Sequence, residues 1–255
     1  MSDLIVITYP LNESTNNIIQ TSKKIKKIPN YKNYYNTILN YHYSSKQQQI
    51  CITQPKIQSI DFITYFKQHN SLINIIDTYE SLLESLHLLH QQNILYNGFF
   101  IFFDSSIIFQ EPLHIPIMNE FTYAIDCDLV SISSTFLEDL DLSTPMPPKL
   151  YVLAYMSQNN LTSLSQYDID QMKHIIGIDY LINKPYEYII TSLTENQFKW
   201  DVYGLTMIFL HLIKHHITYQ HKYFDIFITQ LEQIIELGGV STDDAKNRIQ
   251  TMIPT

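Results

Sequence analysis

Histidines one helical turn apart are the residues here whose spacing most readily suggests chemistry. His211 and His215 stand at i and i+4 with His216 adjacent, and His87 and His90 stand at i and i+3. Two such imidazoles on one helix face can ligate zinc. The residues between His211 and His215 are Leu, Ile and Lys, so the His-Glu-x-x-His arrangement of zinc hydrolases is missing. These histidines read as helix-surface or core residues. Asp126 and Asp128, in AIDCDL, alternate as strand residues do, which would put two carboxylates on one face. A solvated edge or turn explains them without chemistry. Cys51 and Cys127 lack an activating signature, and no Gly-x-Ser-x-Gly elbow occurs.

The elements that must position any site follow from periodicity. Leu4 to Thr8 reads as a strand, and Gln49 to Thr53 as a second. Asn12 to Tyr35 reads as helix up to a break at Pro29, followed by the aromatic segment IPNYKNYYNTI. Ile57 to Gln68 looks helical. The strongest helix spans Leu72 to His90, with Leu72, Ile75, Ile76, Tyr79, Leu82, Leu83 and Leu86 on one face. Phe99–Phe103 and Ile107–Phe109 read as short strands around an Asp104-Ser-Ser turn. Residues 111–150 carry five prolines and read as irregular, and Ile169–Leu181 as helical. A mostly apolar helix opens at Trp200-Asp201, with Asp201 as its expected N-cap. Phe224 to Leu237 is amphipathic and closed by Gly238-Gly239, and a last helix starts at Ser241 or Thr242.

Composition narrows the function classes. With 255 residues and 45% hydrophobic content, the chain can bury a core. Its net charge is -9, and Arg248 is its sole arginine. Nucleic-acid binders and bidentate phosphate readers favour the opposite balance. Five lysines between Lys23 and Lys32 read as the solvated face of a helix. The tyrosines are dispersed rather than arranged as a base-stacking platform. Two cysteines fit a reducing compartment. The amino terminus lacks the basic and long apolar regions of a signal peptide, and the longest apolar runs fall short of the ~20 residues a membrane helix needs. Abundant Ile, Asn, Tyr and Lys indicate an AT-rich genome.

The order of elements resembles a protein kinase. The segment YESLLESLHLLHQQNILYNGF resembles the helix and the start of the catalytic loop of the kinase large lobe, and KWDVYGLTMIFLHLI resembles its central buried helix. IKKIPNYKNYYNTI, Ile25 to Ile38, is similar to a segment after the small-lobe helix in the divergent kinase-like proteins of large eukaryotic DNA viruses. The resemblance covers most of residues 12 to 215 and implies an α+β, protein-kinase-like fold. It would place a reduced small lobe and hinge at 1–68 and a mostly helical large lobe at 69–255.

The same resemblance implies lost chemistry. Kinases need a Gly-rich phosphate loop, a phosphate Lys, a catalytic Asp and Asn/Asp metal ligands. No Gly precedes Gly98, and LIVITYP carries no Lys. The catalytic-loop tripeptide is Tyr96-Asn97-Gly98, the metal-binding Asn position holds Phe103, and no Asp-Phe-Gly exists; its expected place is Gln110-Glu111-Pro112. What remains are the structural anchors Trp200 and Asp201, the latter expected to brace the Tyr96–Gly98 backbone. The expectation is a pseudokinase without catalytic residues, cofactor or metal. It would work through a viral or host protein partner, in host cytoplasm or virion, with no nucleic acid and no membrane insertion. The former cleft is expected to be filled by Phe99–Phe103 and the tyrosines near 31–43. A residual nucleotide-using phosphotransferase is the competing expectation. It would need Glu111, Asp104 or Asp126 gathered around an open cleft.

Overall fold

The computed structural model describes residues 4–10, 13–44, 49–101, 103–129, 132–172, 175, 177–218 and 222–252. Phe102, within the expected Phe99–Phe103 strand, lies outside them.

The amino-terminal layer is a three-stranded antiparallel sheet with one helix. Strand β1 (Leu4–Pro10) precedes helix α1 (Glu13–Ile25), and β2 (Asn40–Ser44) and β3 (Gln49–Pro55) follow in the order β1-β3-β2. Alternation on β3 sends Ile50 and Ile52 inward, where they meet Ile18 and Ile19 of α1 and Ile38 in a small separate core. Residues on the outer face of β1 stay in water, with Leu4 and Val6 exposed. Helix α1 ends at Ile25, four residues before the expected Pro29 break, and the chain turns through a 3-10 segment at Tyr31–Asn33. Strand β2 alternates only Tyr41 and Tyr43 with polar residues, too short a run to announce it; its pairing with β3 fixes it.

Residues 57–68 split. Strand β4 (Ser59–Asp61) comes first, and Asp61 then caps helix α2 (Phe62–Gln68) by accepting the Thr64 N–H at 2.8 Å. Phe62 and Phe66 of α2 pack on Phe209 with ring centroids 5.3 and 6.3 Å away. Helix α3 (Leu72–Gln91) starts at the Ser71 cap and buries the face its periodicity marks, with Ile75, Tyr79, Leu82, Leu83, Leu86 and Leu89 fully covered. Strand β5 (Ile94–Leu95) then leads into a 3-10 turn at Gly98–Phe100 rather than the expected strand. Its residues leave the extended state because Asn97 adopts a left-handed conformation and Gly98 closes under a tyrosine ring.

Residues 111–150 are more ordered than the prolines suggest. Strand β6 (Ile107–Gln110) pairs with β7 (Ile115–Met118) as a hairpin and with β4 on its other side, and β8 (Ile125–Asp126) pairs with β5. Pro116 sits within β7, which forms an edge of its sheet, where a missing N–H costs little. Helix α4 (Ser134–Asp139) and helix α5 (Pro148–Gln158) follow, the latter with Pro148 in its first turn. Helix α6 (Gln166–Gln171) is shorter and earlier than the expected 169–181, because its Ser165/Asp168 capping box sets the start. Helix α7 (Tyr186–Thr194), unforeseen in sequence, packs with α4, α5 and α6 in a second core, which also buries Trp200.

Helix α8 (Phe198–His216) runs through the middle, with twelve buried residues from Trp200 to Ile213. Helix α9 (Lys222–Glu236) and helix α10 (Thr242–Gln250) close the main core around it and α3. Gly239 has φ 93, and a Cβ there would lie 2.2 Å from the Lys199 carbonyl oxygen, so the α9–α10 turn rests directly on the first turn of α8.

Candidate functional site

The turn Tyr96-Asn97-Gly98 is held from below by one carboxylate. Asp201 is fully buried on α8. Its Oδ2 accepts the Tyr96 N–H at 2.8 Å, and its Oδ1 accepts the Asn97 N–H at 2.8 Å. His90 Nε2, at the end of α3, lies 3.1 Å from Oδ2. The expected N-cap role is overturned: α8 begins at Phe198, so Asp201 sits inside the first turn and spends both oxygens on the other segment. Gly204, one turn further along α8, lets Phe99 come close; a Cβ there would fall 2.8 Å from the Phe99 Cβ.

Above the turn, the Tyr96 ring folds back over Gly98. A Cβ on Gly98 would meet that ring at 2.5 Å. The Tyr96 hydroxyl donates to the carbonyls of Ser106, at 3.1 Å, and Asn119. Burial, then the Glu120 and Asp201 charges, push its pKa well above the usual tyrosine value. The position therefore presents a neutral ring and no acid or base. Phe103 lies edge-on against His211, with centroids 4.9 Å apart. Trp200, buried, belongs to the second core.

The remaining candidates do not gather here. Gln110 ends β6, and Glu111 and Pro112 form the tip of the β6–β7 hairpin, where Glu111 accepts from Gln58 Nε2 at 3.1 Å. Asp104 is exposed in its turn. Asp126 and Asp128, expected at a solvated edge or turn, are engaged by Lys24. Its ammonium contacts Asp126, reaches Asp128 Oδ2 at 2.6 Å, and donates to the Gln92 carbonyl at 3.2 Å. Desolvation pulls the Lys24 pKa down, but the two carboxylate hydrogen bonds outweigh it and the net shift is upward. The Lys24 and Asn93 side chains hold Asp128 below its ordinary range. Lys24 thus belongs to a bridge from α1 to β8, not to a solvated stripe.

The histidines diverge. His87 faces Thr242 and Asp243 of α10, while His90 faces Asp201. His211, His215 and His216 cluster by their rings on the end of α8. Among the described residues, no group of three or more His, Cys, Asp or Glu is placed to hold a metal. Cys127 is a poor nucleophile: burial, with the nearby acidic charges, pushes its thiol up to about 12. No described helix is long and apolar enough to cross a membrane.

A cavity of about 60 Å³ lies between the first sheet, α1 and the 119–122 segment. It is bounded by Ile7 and Tyr9 of β1, Ser22 of α1, Asn36, Thr37 and the stretch Asn119–Thr122. Ligand pockets for drug-sized molecules run from roughly 300 Å³ upward, so a nucleotide does not fit. Tyr9, Ile38, Ile52 and Phe121 line the space, whereas Phe99 packs downward on α8 and Tyr35 donates its hydroxyl to the Ser85 carbonyl at 2.6 Å. Sequence reasoning missed Glu120 and Ser22 at these junctions and read Lys24 as part of a solvated helix face, because no local pattern marks their partners.

No protein-family model matches this chain. The curated proteins hold no match for it either.

Proposed function

We propose that this protein is a catalytically inactive, protein-kinase-like pseudokinase that acts by binding other proteins. What carries the reading is Asp201. It braces the backbone N–H groups of Tyr96 and Asn97, as the resemblance expects of the Asp in the central buried helix, while the neighbouring Gly98 has no space for a catalytic side chain. Retained bracing with lost acid, base and metal ligands leaves a scaffold without electrostatic stabilisation of a transferred phosphoryl group. Further support comes from the order of elements: a small antiparallel sheet with one helix, then α3, a turn, a short hairpin and the buried α8. In this reading the chain serves as a scaffold, a regulator of a viral or host factor, or a virion component. A large DNA virus with an AT-rich genome is the proposed source, and host cytoplasm or the virion its place. Fold likeness alone does not assign function, so the activity must be tested at the site.

The test is thermal unfolding with ATP or ADP, each with and without Mg²⁺, and with Mg²⁺ alone. A nucleotide bound at one hundred times its Kd adds about 2.7 kcal/mol, several degrees in a domain this size. The pseudokinase reading expects no nucleotide-dependent shift at millimolar concentration. A shift that needs nucleotide and Mg²⁺ together would favour the residual phosphotransferase and overturn this proposal.

A further inference from the structure

The cavity beside β1 contains an imbalance that protein groups do not resolve. Among the described residues, Ser22 Oγ, Asn36 Oδ1 and Thr37 Oγ1 are buried without hydrogen-bond partners, and all three residues line this one space. Ser22 is 1% exposed and Thr37 4%. An unsatisfied buried polar atom costs roughly 1–3 kcal/mol, so three around one void point to something that fills it. Glu120 lines the same space, with its charge felt by Tyr9 on one side and Tyr96 on the other. The lining contains no Lys, Arg or His. Burial raises the Glu120 pKa. Its one hydrogen bond among the described residues is a long one, from Asn119 Nδ2 to Oε1 at 3.5 Å, and no cation among them faces it. Asp126, by contrast, has Lys24.

We infer that this cavity is a site for one small, hard cation, taken with part of its water shell and held by the Glu120 carboxylate with Ser22, Asn36 and Thr37 as neutral oxygen donors. Size, donor type and charge agree. At roughly 10–15 Å³ per water-sized position, about 60 Å³ has room for an ion and a few waters but not for a nucleotide. The unpaired atoms are all oxygens, with no thiolate or imidazole, a set that suits alkali and alkaline-earth ions rather than zinc or copper. One carboxylate in a wall free of cationic side chains supplies the counter-charge. The cation would tie α1, the 36–37 segment and the 119–122 segment together. The inference rests on the cavity alone and stands whether or not the kinase likeness does.

The experiment is thermal unfolding of the full chain, without nucleotide, in separate Mg²⁺, Ca²⁺, K⁺ and Na⁺ chlorides against choline chloride of matched ionic strength. One of these ions is expected to raise Tm by roughly 5–10 °C at about one hundred times its Kd. Glu120→Gln keeps the shape, removes the charge and is expected to abolish most of that rise while melting near wild type in choline chloride. Thr37→Val, which removes one donor, is expected to shift the ion titration several-fold to weaker binding, and serves as a second check should the Gln variant fold poorly. No rise beyond the choline control, or an undiminished rise in Glu120→Gln, would overturn the proposal.

Discussion

Asp201 and Glu120 are two carboxylates near the same tyrosine, and both add to the burial that pushes the pKa of Tyr96 upward. Asp201 is fully buried and satisfied by two backbone N–H groups, with His90 alongside. Glu120 is half-buried beside a void with three unpaired oxygens. The first carboxylate is part of the framework: remove it and two segments lose their connection. The second has no cation beside it among the described residues and a single 3.5 Å hydrogen bond from Asn119, which is how binding sites differ from structural ones.

That contrast can be broken at its strongest point first. Asp201→Ala leaves the Tyr96 and Asn97 N–H groups buried and unpaired, and is expected to cost roughly 2–6 kcal/mol at ~1–3 per group. A fall in the urea midpoint at unchanged slope would show it; a loss below about 1 kcal/mol would mean the brace is ornamental. Next comes Gly98→Asp, which restores an acid at the position the resemblance assigns to catalysis. With a Cβ 2.5 Å from the Tyr96 ring, it is expected to destabilise by about 1–3 kcal/mol and to yield no phosphoryl transfer in a radiolabelled-ATP assay.

The α1–β8 bridge sharpens the comparison from a third place, an aspartate pair. Lys24→Met leaves Asp126, whose side chain is 8% exposed, without its cation, and is expected to cost about 1–3 kcal/mol by urea unfolding. Its pH dependence has a definite sign. The Asp128 pKa is depressed, so its contribution is present above the ordinary aspartate value of 3.8 and lost as pH falls below it. The Lys24 pKa is raised, so its contribution is present below 10.5 and lost as pH climbs through the higher folded value. Wild type should therefore lose more stability than Lys24→Met at both ends of that window, and parallel profiles would refute the bridge.

Glu120→Gln should have the smallest effect in the absence of ions, within about 1 kcal/mol of wild type near neutral pH. The raised Glu120 pKa works in the opposite direction to that of Asp128. The protonated acid favours folding below 4.5, and that advantage is lost as pH rises through the folded value. A Tm–pH curve for the variant should be flatter just above pH 4.5 than that of wild type.

Much of this architecture was legible along the chain. Helix α3 follows from the Leu72-to-Leu89 spacing, α8 from its unbroken apolar run, and α9 and α10 from Gly238-Gly239 and Ser241 between them. Local signals fail where pairing makes the element. Strand β2 exists because β3 lies beside it, and Phe99–Phe103 leaves the strand state because Asn97 and Gly98 turn under Tyr96. The site was half legible: Tyr96, Asn97, Gly98 and Asp201 could be picked out by order and spacing, but Glu120 and Ser22 could not.

By itself, then, the amino-acid sequence determined the absences and the periodic helices. Glycine before residue 98 and lysine in LIVITYP are missing wherever the chain folds, and 3.6-residue spacing needs only neighbours to declare itself. The tertiary structure decided which charges are paired. Lys24 lies 102 residues from Asp126, and Asp201 lies 105 from Tyr96. Hydrogen bonds and burial act through space, so only the folded chain shows that Asp201 is satisfied while Glu120 is left facing a cavity.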